Sequence, residues 1–159
     1  MQNNNSAAEI IKQIGKMLNQ DGTNDNEKQW MIKQLTDHIT VQDQLKQLTT
    51  KDIHTISIVN RQTTVHVKSL PKLTNFSQPT ISRIITKLAQ QQLLEKFRTT
   101  KNDKEILVRL TSAGREIANV HQQLEQHLHE QVSAILSQYP AAEIDDFINI
   151  ITQIAQIKP

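Results

Sequence analysis

The sequence contains no cysteine, only three glycines and only five aromatic residues among its 159 positions. Without cysteine, the chain has no thiolate nucleophile and no cysteine-ligated zinc or iron–sulfur centre. With so few glycines, it has neither a GxGxxG nor a GxxxxGK(S/T) loop for nucleotide phosphates. Its apolar runs fall short of the roughly 18 residues that a membrane span needs, and its first residues lack the features of a secretory signal. We therefore expect a cytoplasmic protein without a membrane partner.

Helix-favouring residues dominate what is present, with 20 glutamines, 20 isoleucines and 14 leucines. Apolar residues recur every three or four positions in seven segments, which predicts helices over 6–19, 27–48, 51–60, 65–73, 78–92, 113–138 and 141–157. Ser6 and Glu9 predict a capping box for the first helix, and residues 21–26 predict a loop after it. Alternating residues predict two strands over 93–99 and 105–111, joined as a hairpin.

Charge is unevenly distributed, although the formal net charge is only +2. Residues 61–115 hold eleven Lys or Arg and three Asp or Glu, a net +8, whereas the rest of the chain carries −6. A basic middle between acidic ends is typical of a protein that binds nucleic acid, although a solvated basic face without a partner would also produce it.

The order helix, turn, capped helix and hairpin predicts a helix-turn-helix followed by a β-wing. In such a motif the second helix lies in the major groove, with its N-terminal residues at the base edges. Glutamine can bind adenine, and arginine can bind guanine, in bidentate geometry. The expected contacts from this helix are Ser77, Gln78, Thr80, Ser82, Arg83, Thr86 and Lys87. The cations expected to meet phosphates or the minor groove are Arg98, Lys101 and Lys104 on the wing, with Arg61, Lys68 and Lys72 on or before the bracing helix.

These residues make the sequence similar to the multiple antibiotic resistance regulator (MarR) family of bacterial winged-helix transcription factors. Residues 77–88 match the family pattern Ser-x-x-Thr-Val/Ile-Ser-Arg-x-x-x-x-Leu, and residues 108–114 match Val-x-Leu-Thr-x-x-Gly. The resemblance covers about 27–157. It departs from the family at Gln92, where glycine is usual, and at residues 102–104, where Asn-Asp-Lys replaces the usual Asp-x-Arg of the wing tip.

The resemblance implies a homodimer that binds a pseudo-palindromic operator in double-stranded DNA, acts as a repressor and is released by a small aromatic or other effector ligand. Elementary packing agrees in part, because the long terminal helices carry more apolar surface than one winged domain can cover, and a second copy can cover it. The expected fold is mainly α, a winged helix-turn-helix with a two-stranded β-wing and a helical dimerisation region. The expected divisions are an N-terminal arm (1–26), the dimerisation region (27–48 and 113–159) and the winged helix-turn-helix (49–112).

Other functions compete with DNA binding. His121, Glu125 and His129 recur every four residues along one predicted helix and could share a metal ion, although a solvated polar stripe explains the same spacing. The sequence has no nucleophile elbow and no ordered triad, so we expect no enzymatic activity and no cofactor. The alternative to a DNA-binding regulator is a winged-helix protein-interaction module that uses its basic face on an acidic partner.

Overall fold

The computed structural model describes residues 2–19, 23–99 and 102–157. Its helices are α1 (Gln2–Asn19), α2 (Thr23–Gln34), α3 (Ile39–Lys46), α4 (Thr50–Gln62), α5 (Leu70–Thr74), α6 (Gln78–Gln90), α7 (Ser112–Leu136) and α8 (Ala141–Ala155). Its strands are β1 (Val65–His66), β2 (Leu94–Thr99) and β3 (Asn102–Leu110), and the 3-10 turn Val67–Ser69 follows β1. The chain divides into two compact units, Met1–Gln122 and Gln123–Pro159. In the part of the chain that the structure describes, no helix combines the length and the apolar content that a bilayer crossing requires.

The first unit has a core of apolar side chains that its helices present at intervals of three or four residues. The completely buried ones include Leu45, Ile56, Leu70, Ile81, Leu88, Val108 and Ile117. They come from α3 to α7 and from β3, so helices and sheet both contribute to the interior. Each such side chain contributes about 1.5–3 kcal/mol when it leaves water. The mainly helical winged fold expected from the sequence is confirmed.

The sheet has three antiparallel strands in the order β1-β3-β2, whereas the sequence predicts a wing of two. The predicted hairpin is confirmed, with Leu94 opposite Leu110. The predicted helix over 65–73 is wrong in its first half, because Val65 pairs with Val108 and a 3-10 turn leads into the short helix α5. A two-residue strand has no periodicity of its own, so only its long-range partner reveals it.

The predicted helix over 27–48 is also divided, because α2 ends at Gln34 and α3 begins at Ile39. The side-chain amide of Gln42 donates to the carbonyl oxygens of Leu35 (2.7 Å) and Ile32 (3.2 Å). Both carbonyls also accept from backbone N–H groups, that of Ile32 from Leu35 (3.2 Å) and that of Leu35 from His38 (3.1 Å). The Gln42 side chain therefore connects α3 to the end of α2 across the break.

The N-terminal predictions are partly wrong as well. Helix α1 begins at Gln2, so Ser6 lies inside the helix and cannot be its N-cap. Residues 21 and 22 of the predicted loop lie outside the described residues, and residues 23–26 belong to α2. A reciprocal capping box is present instead at the start of α4, where Thr49 and Asp52 form it.

Helix α6 ends in a Schellman motif that uses Gln92 where the resemblance expects glycine. The Leu93 amide donates to the Leu88 carbonyl and the Gln92 amide donates to the Ala89 carbonyl. Gln92 has φ +56°, in the left-handed region that costs a residue with a Cβ. Glycine is needed at Gly114 for a different reason, since a Cβ there would lie 2.1 Å from the Leu93 carbonyl oxygen.

The second unit contains the end of α7 and all of α8, which begins after the N-cap Pro140. Its large apolar side chains are exposed in the single chain, including Val132, Ile135, Phe147, Ile148, Ile150, Ile151 and Ile157. On α8 the apolar residues cover about half of the helix circumference at 100° per residue, which is wider than a usual core-facing stripe.

Candidate nucleic-acid interface

Helix α6 is fixed in place by its cap and by one buried face. The Ser77 hydroxyl accepts from the Thr80 backbone N–H (3.4 Å) and lies 2.9 Å from the Thr80 hydroxyl. Pro79 occupies the first turn, where its missing N–H costs no hydrogen bond. The buried face consists of Ile81, Ile84, Ile85 and Leu88. Ser77 and Thr80 therefore set the start of the helix, and their hydroxyls are already engaged with each other.

The opposite face of α6 is polar and open to solvent. Gln78, Ser82, Arg83 and Thr86 are all exposed. At 100° per residue, Ser82, Thr86 and Arg83 fall within about 100° of one another on the helix surface. Together with Gln78 at the start of the helix, these residues present hydroxyls, an amide and a guanidinium. Such groups hydrogen-bond base edges in the major groove.

Lys87 is placed differently from the other residues predicted on this helix. Its ammonium lies 2.6 Å from a carboxylate oxygen of Asp52 and 2.9 Å from the Gln47 carbonyl oxygen. Asp52 is buried and belongs to the capping box of α4. Lys87 therefore links the C-terminal half of α6 to the start of α4, and its ammonium is already bound within the protein.

The wing contributes Arg98, which is exposed on β2. Arg109 on β3 donates to Glu95 (2.8 Å) and lies 5.1 Å from the centre of the Phe97 ring, so this guanidinium is occupied within the wing. Lys101 lies outside the described residues, and Lys104 is described only through its backbone in β3. The predicted contacts of Lys101 and Lys104 remain predictions.

Lys68 and Gln78 are two predicted contact residues that the structure brings together. They line one cavity of about 220 Å³ with His66, Val67, Glu105 and Ile106. Lys68 donates to one carboxylate oxygen of Glu105, and the Nδ1 atom of His66 lies 3.2 Å from the other. Lys72 on α5 and Arg61 on α4 are exposed, and Arg61 already takes part in a contact within the protein.

Two groups that adjoin this surface were not predicted from the sequence. One is Glu105, and the other is Lys51, whose ammonium lies 5.6 Å from the centre of the Phe76 ring. His54 packs edge-on against the same ring. Phe76 directly precedes the cap of α6, so these α4 side chains lie beside the turn of the helix-turn-helix. Lys51 and Phe76 are 25 positions apart in the sequence. No local pattern therefore predicts their contact, which depends on tertiary packing.

The three candidate metal ligands are not gathered into a site. In the described ranges, no group of three or more His, Asp or Glu side chains is arranged to hold an ion. The Nδ1 atom of His121 lies instead 3.0 Å from the Ser57 hydroxyl. This contact gives His121 a role in packing α7 against α4.

Comparison of the sequence with known proteins finds transcriptional regulators. The model of the family described as "Transcriptional regulator SarA/Rot" matches residues 38–120. The uncharacterized HTH-type transcriptional regulator YhjH of Bacillus subtilis is 32% identical over 98 residues, which is 62% of this chain and 56% of that protein. Across three such Bacillus subtilis regulators, the chain spans from 43% to 62% of the relative's length.

Two solved structures illustrate the likeness of the fold. FabT of Streptococcus pneumoniae in complex with DNA has a TM-score of 0.69 at 17% identity, over 94% of this chain and 95% of that one. ZitR of Lactococcus lactis, a zinc-responsive MarR family member, has a TM-score of 0.62 at 18% identity, over 69% of this chain and 78% of that one. The MarR-type winged-helix fold expected from the sequence is confirmed. The family model covers more than half of the chain, and the protein therefore belongs to the SarA/Rot family of winged-helix transcriptional regulators.

Proposed function

We propose that the protein is a repressor that binds a pseudo-palindromic operator in double-stranded DNA as a homodimer. The observation that carries this proposal is the face of α6 opposite its buried stripe, which presents Gln78, Ser82, Arg83 and Thr86 to solvent. A helix of this kind fits the major groove and is held there by the rest of a winged domain.

The roles of these side chains follow from their chemistry. Arg83 donates two hydrogen bonds to guanine, and Gln78 pairs with adenine through its amide. Ser82 and Thr86 bind base edges or phosphates with their hydroxyls. Ser77 and Thr80 position the first turn, whose backbone N–H groups favour a phosphate. We leave Lys87 out of this set because its ammonium is held by Asp52.

Phosphate contacts supply the sequence-independent part of the affinity. For these we propose Lys68 and Lys72 near the bracing helix, Arg61 on α4 and the wing cations Arg98, Lys101 and Lys104. To these we add Lys51, whose ammonium lies beside the turn that precedes α6. The net charge of +8 over residues 61–115 supports this assignment.

A second copy of the chain is the proposed partner of the exposed apolar surface on α8. Phe147 is 57% exposed and Ile148 53% exposed in the single chain, although each side chain favours removal from water. An isologous contact brings the same surface of both copies together, and it sets two α6 helices on half-sites about one helical turn apart. We keep the divisions expected from the sequence, with residues 27–48 and 113–159 as the dimerisation region, 1–26 as an arm and 49–112 as the DNA-binding region.

Repression and its release rest on the MarR resemblance. A dimer that occupies a promoter blocks transcription, and a small aromatic or other ligand that favours a non-binding arrangement would release it. This effector stays a prediction, since none of the described contacts selects a ligand.

The test is selection of bound fragments from the source genome by the purified protein. The expected result is a small set of duplexes that share a pseudo-palindrome, with half-sites about one helical turn apart. Their binding should weaken steeply with salt, because it releases counterions from several phosphates. Failure to enrich any sequence over random fragments would contradict the proposal and favour the protein-interaction module.

A further inference from the structure

Glu105 is an acidic residue inside the most basic part of the chain. Residues 61–115 contain eleven cations and only three acids, which are Glu95, Asp103 and Glu105. Glu95 pairs with Arg109 within the wing hairpin. Glu105 instead contacts groups on β1 and on the 3-10 turn that follows it.

The Glu105 carboxylate lies against two basic side chains, Lys68 and His66. One carboxylate oxygen accepts from the Lys68 ammonium, and the other lies 3.2 Å from Nδ1 of His66. All three residues line the cavity that also contains Gln78, the first residue of α6. The carboxylate therefore lies where the reading helix, the wing strand β3 and a predicted phosphate contact meet.

We propose that Glu105 is an internal competitor for DNA phosphate that limits the affinity of the protein for DNA. A carboxylate resembles a phosphate in being an oxyanion that accepts charge-assisted hydrogen bonds. While it holds Lys68, the protein offers one cation fewer to the DNA backbone. This inference rests on the proposed DNA-binding function.

The contact is arranged so that DNA can displace it. The Lys68 side chain is 67% exposed, and an ion pair with such an exposed partner contributes little to stability. Opening the pair therefore costs little, but the Glu105 charge that remains still repels an approaching phosphate. Binding to random DNA depends on phosphate contacts alone. Its affinity should therefore fall more than that for a selected duplex when Glu105 occupies one cation.

The experiment compares the full chain with its Glu105→Gln variant, which keeps the shape of the side chain and removes its charge. Asp43→Asn is the matched control, because it also removes one negative charge and also frees a lysine, Lys46, from an ion pair. Fluorescence anisotropy gives Kd for a random-sequence duplex and for a duplex selected from the genome, at several salt concentrations.

We expect Glu105→Gln to bind the random duplex about three- to tenfold more tightly at ~0.1 M salt, with a steeper slope of log K against log salt. The control should change Kd less than twofold, and the gain should shrink in a Lys68→Ala background, where no ammonium is left to free.

Three results overturn the inference. An unchanged Kd and slope for Glu105→Gln, with wild-type protein that binds DNA, refutes only the competitor role. Weaker binding confined to the selected duplex assigns Glu105 to a base contact instead. If the folded wild-type protein binds neither duplex at low salt, the proposed function fails, and the inference fails with it.

Discussion

Replacing Lys87 by methionine should destabilise the protein without removing a DNA contact. The Lys87 ammonium lies 2.6 Å from Asp52, and the Asp52 side chain is only 4% exposed. Methionine keeps most of the length of the aliphatic chain, so the substitution removes mainly the charge and its hydrogen bonds. The Asp52 carboxylate is left buried with the Thr49 backbone N–H (2.8 Å) as a remaining donor.

The magnitude follows from this geometry. Removing one partner of a fully buried ion pair costs about 3–5 kcal/mol. Lys87 is itself 36% exposed, so water can replace part of its interaction, and the Thr49 N–H stays in place. We therefore expect a loss of about 2 kcal/mol in the free energy of unfolding, within the cost of leaving a buried charged acceptor short of a donor. For a chain of this length that loss lowers Tm by about 4–8 °C.

Thermal unfolding followed by circular dichroism measures the loss, at equal protomer concentration for every variant because dimer stability depends on concentration. The double variant Asp52→Asn/Lys87→Met should recover part of the loss, since a neutral amide still accepts from Thr49 and no buried charge remains. DNA affinity is measured well below both midpoints. A Tm within about 1 °C of wild type, together with a salt slope smaller by about 0.9, would refute the reasoning and restore Lys87 as a phosphate contact.

Two further predictions concern the end of α6 and the surface of α8. Gln92→Gly should stabilise the protein by about 0.5–1 kcal/mol because Gln92 has φ +56°. Gln90→Gly, at the last residue of α6, should destabilise it instead, and equal signs in thermal unfolding would count against the assigned strain. Phe147→Ser should weaken the dimer at least 100-fold in sedimentation equilibrium, since burial of a phenylalanine contributes about 1.5–3 kcal/mol and the dimer contains the change twice. Asp145→Ser on the same helix should leave it intact, and a Phe147→Ser dimer as tight as wild type would exclude this surface.

The parts of the fold that depend on near neighbours were predictable from the sequence. The start of α6 is set by Ser77, Pro79 and Thr80 within four residues, and its buried stripe by a local period. The division of the helix predicted over 27–48 was missed, and the Gln42 contact with the Leu35 carbonyl across the break exists only in the folded chain. Strand β1 was missed because two residues show no alternation without their partner strand.

The same distinction applies to the candidate site. The sequence identifies cations by type, but it does not say which anions they meet. Lys87 and Asp52 are 35 positions apart, and Lys68 and Glu105 are 37 apart, yet both pairs are in contact. Two predicted DNA cations therefore have internal partners that only the folded chain reveals. The exposed Arg83 has the position on α6 that its local pattern predicts.

The most direct test of the central claim, that the exposed face of α6 reads duplex DNA, is the affinity of the Arg83→Ala variant for a selected duplex at fixed salt. Lys33→Ala, an exposed cation at the end of α2, is the charge-matched control. Arg83→Ala should lose about 1–3 kcal/mol of binding free energy for this duplex, which raises Kd about 5- to 150-fold. The dimer should stay intact, and the Kd of the control should be nearly unchanged. Equal affinities of wild-type protein and Arg83→Ala for that duplex would contradict the claim.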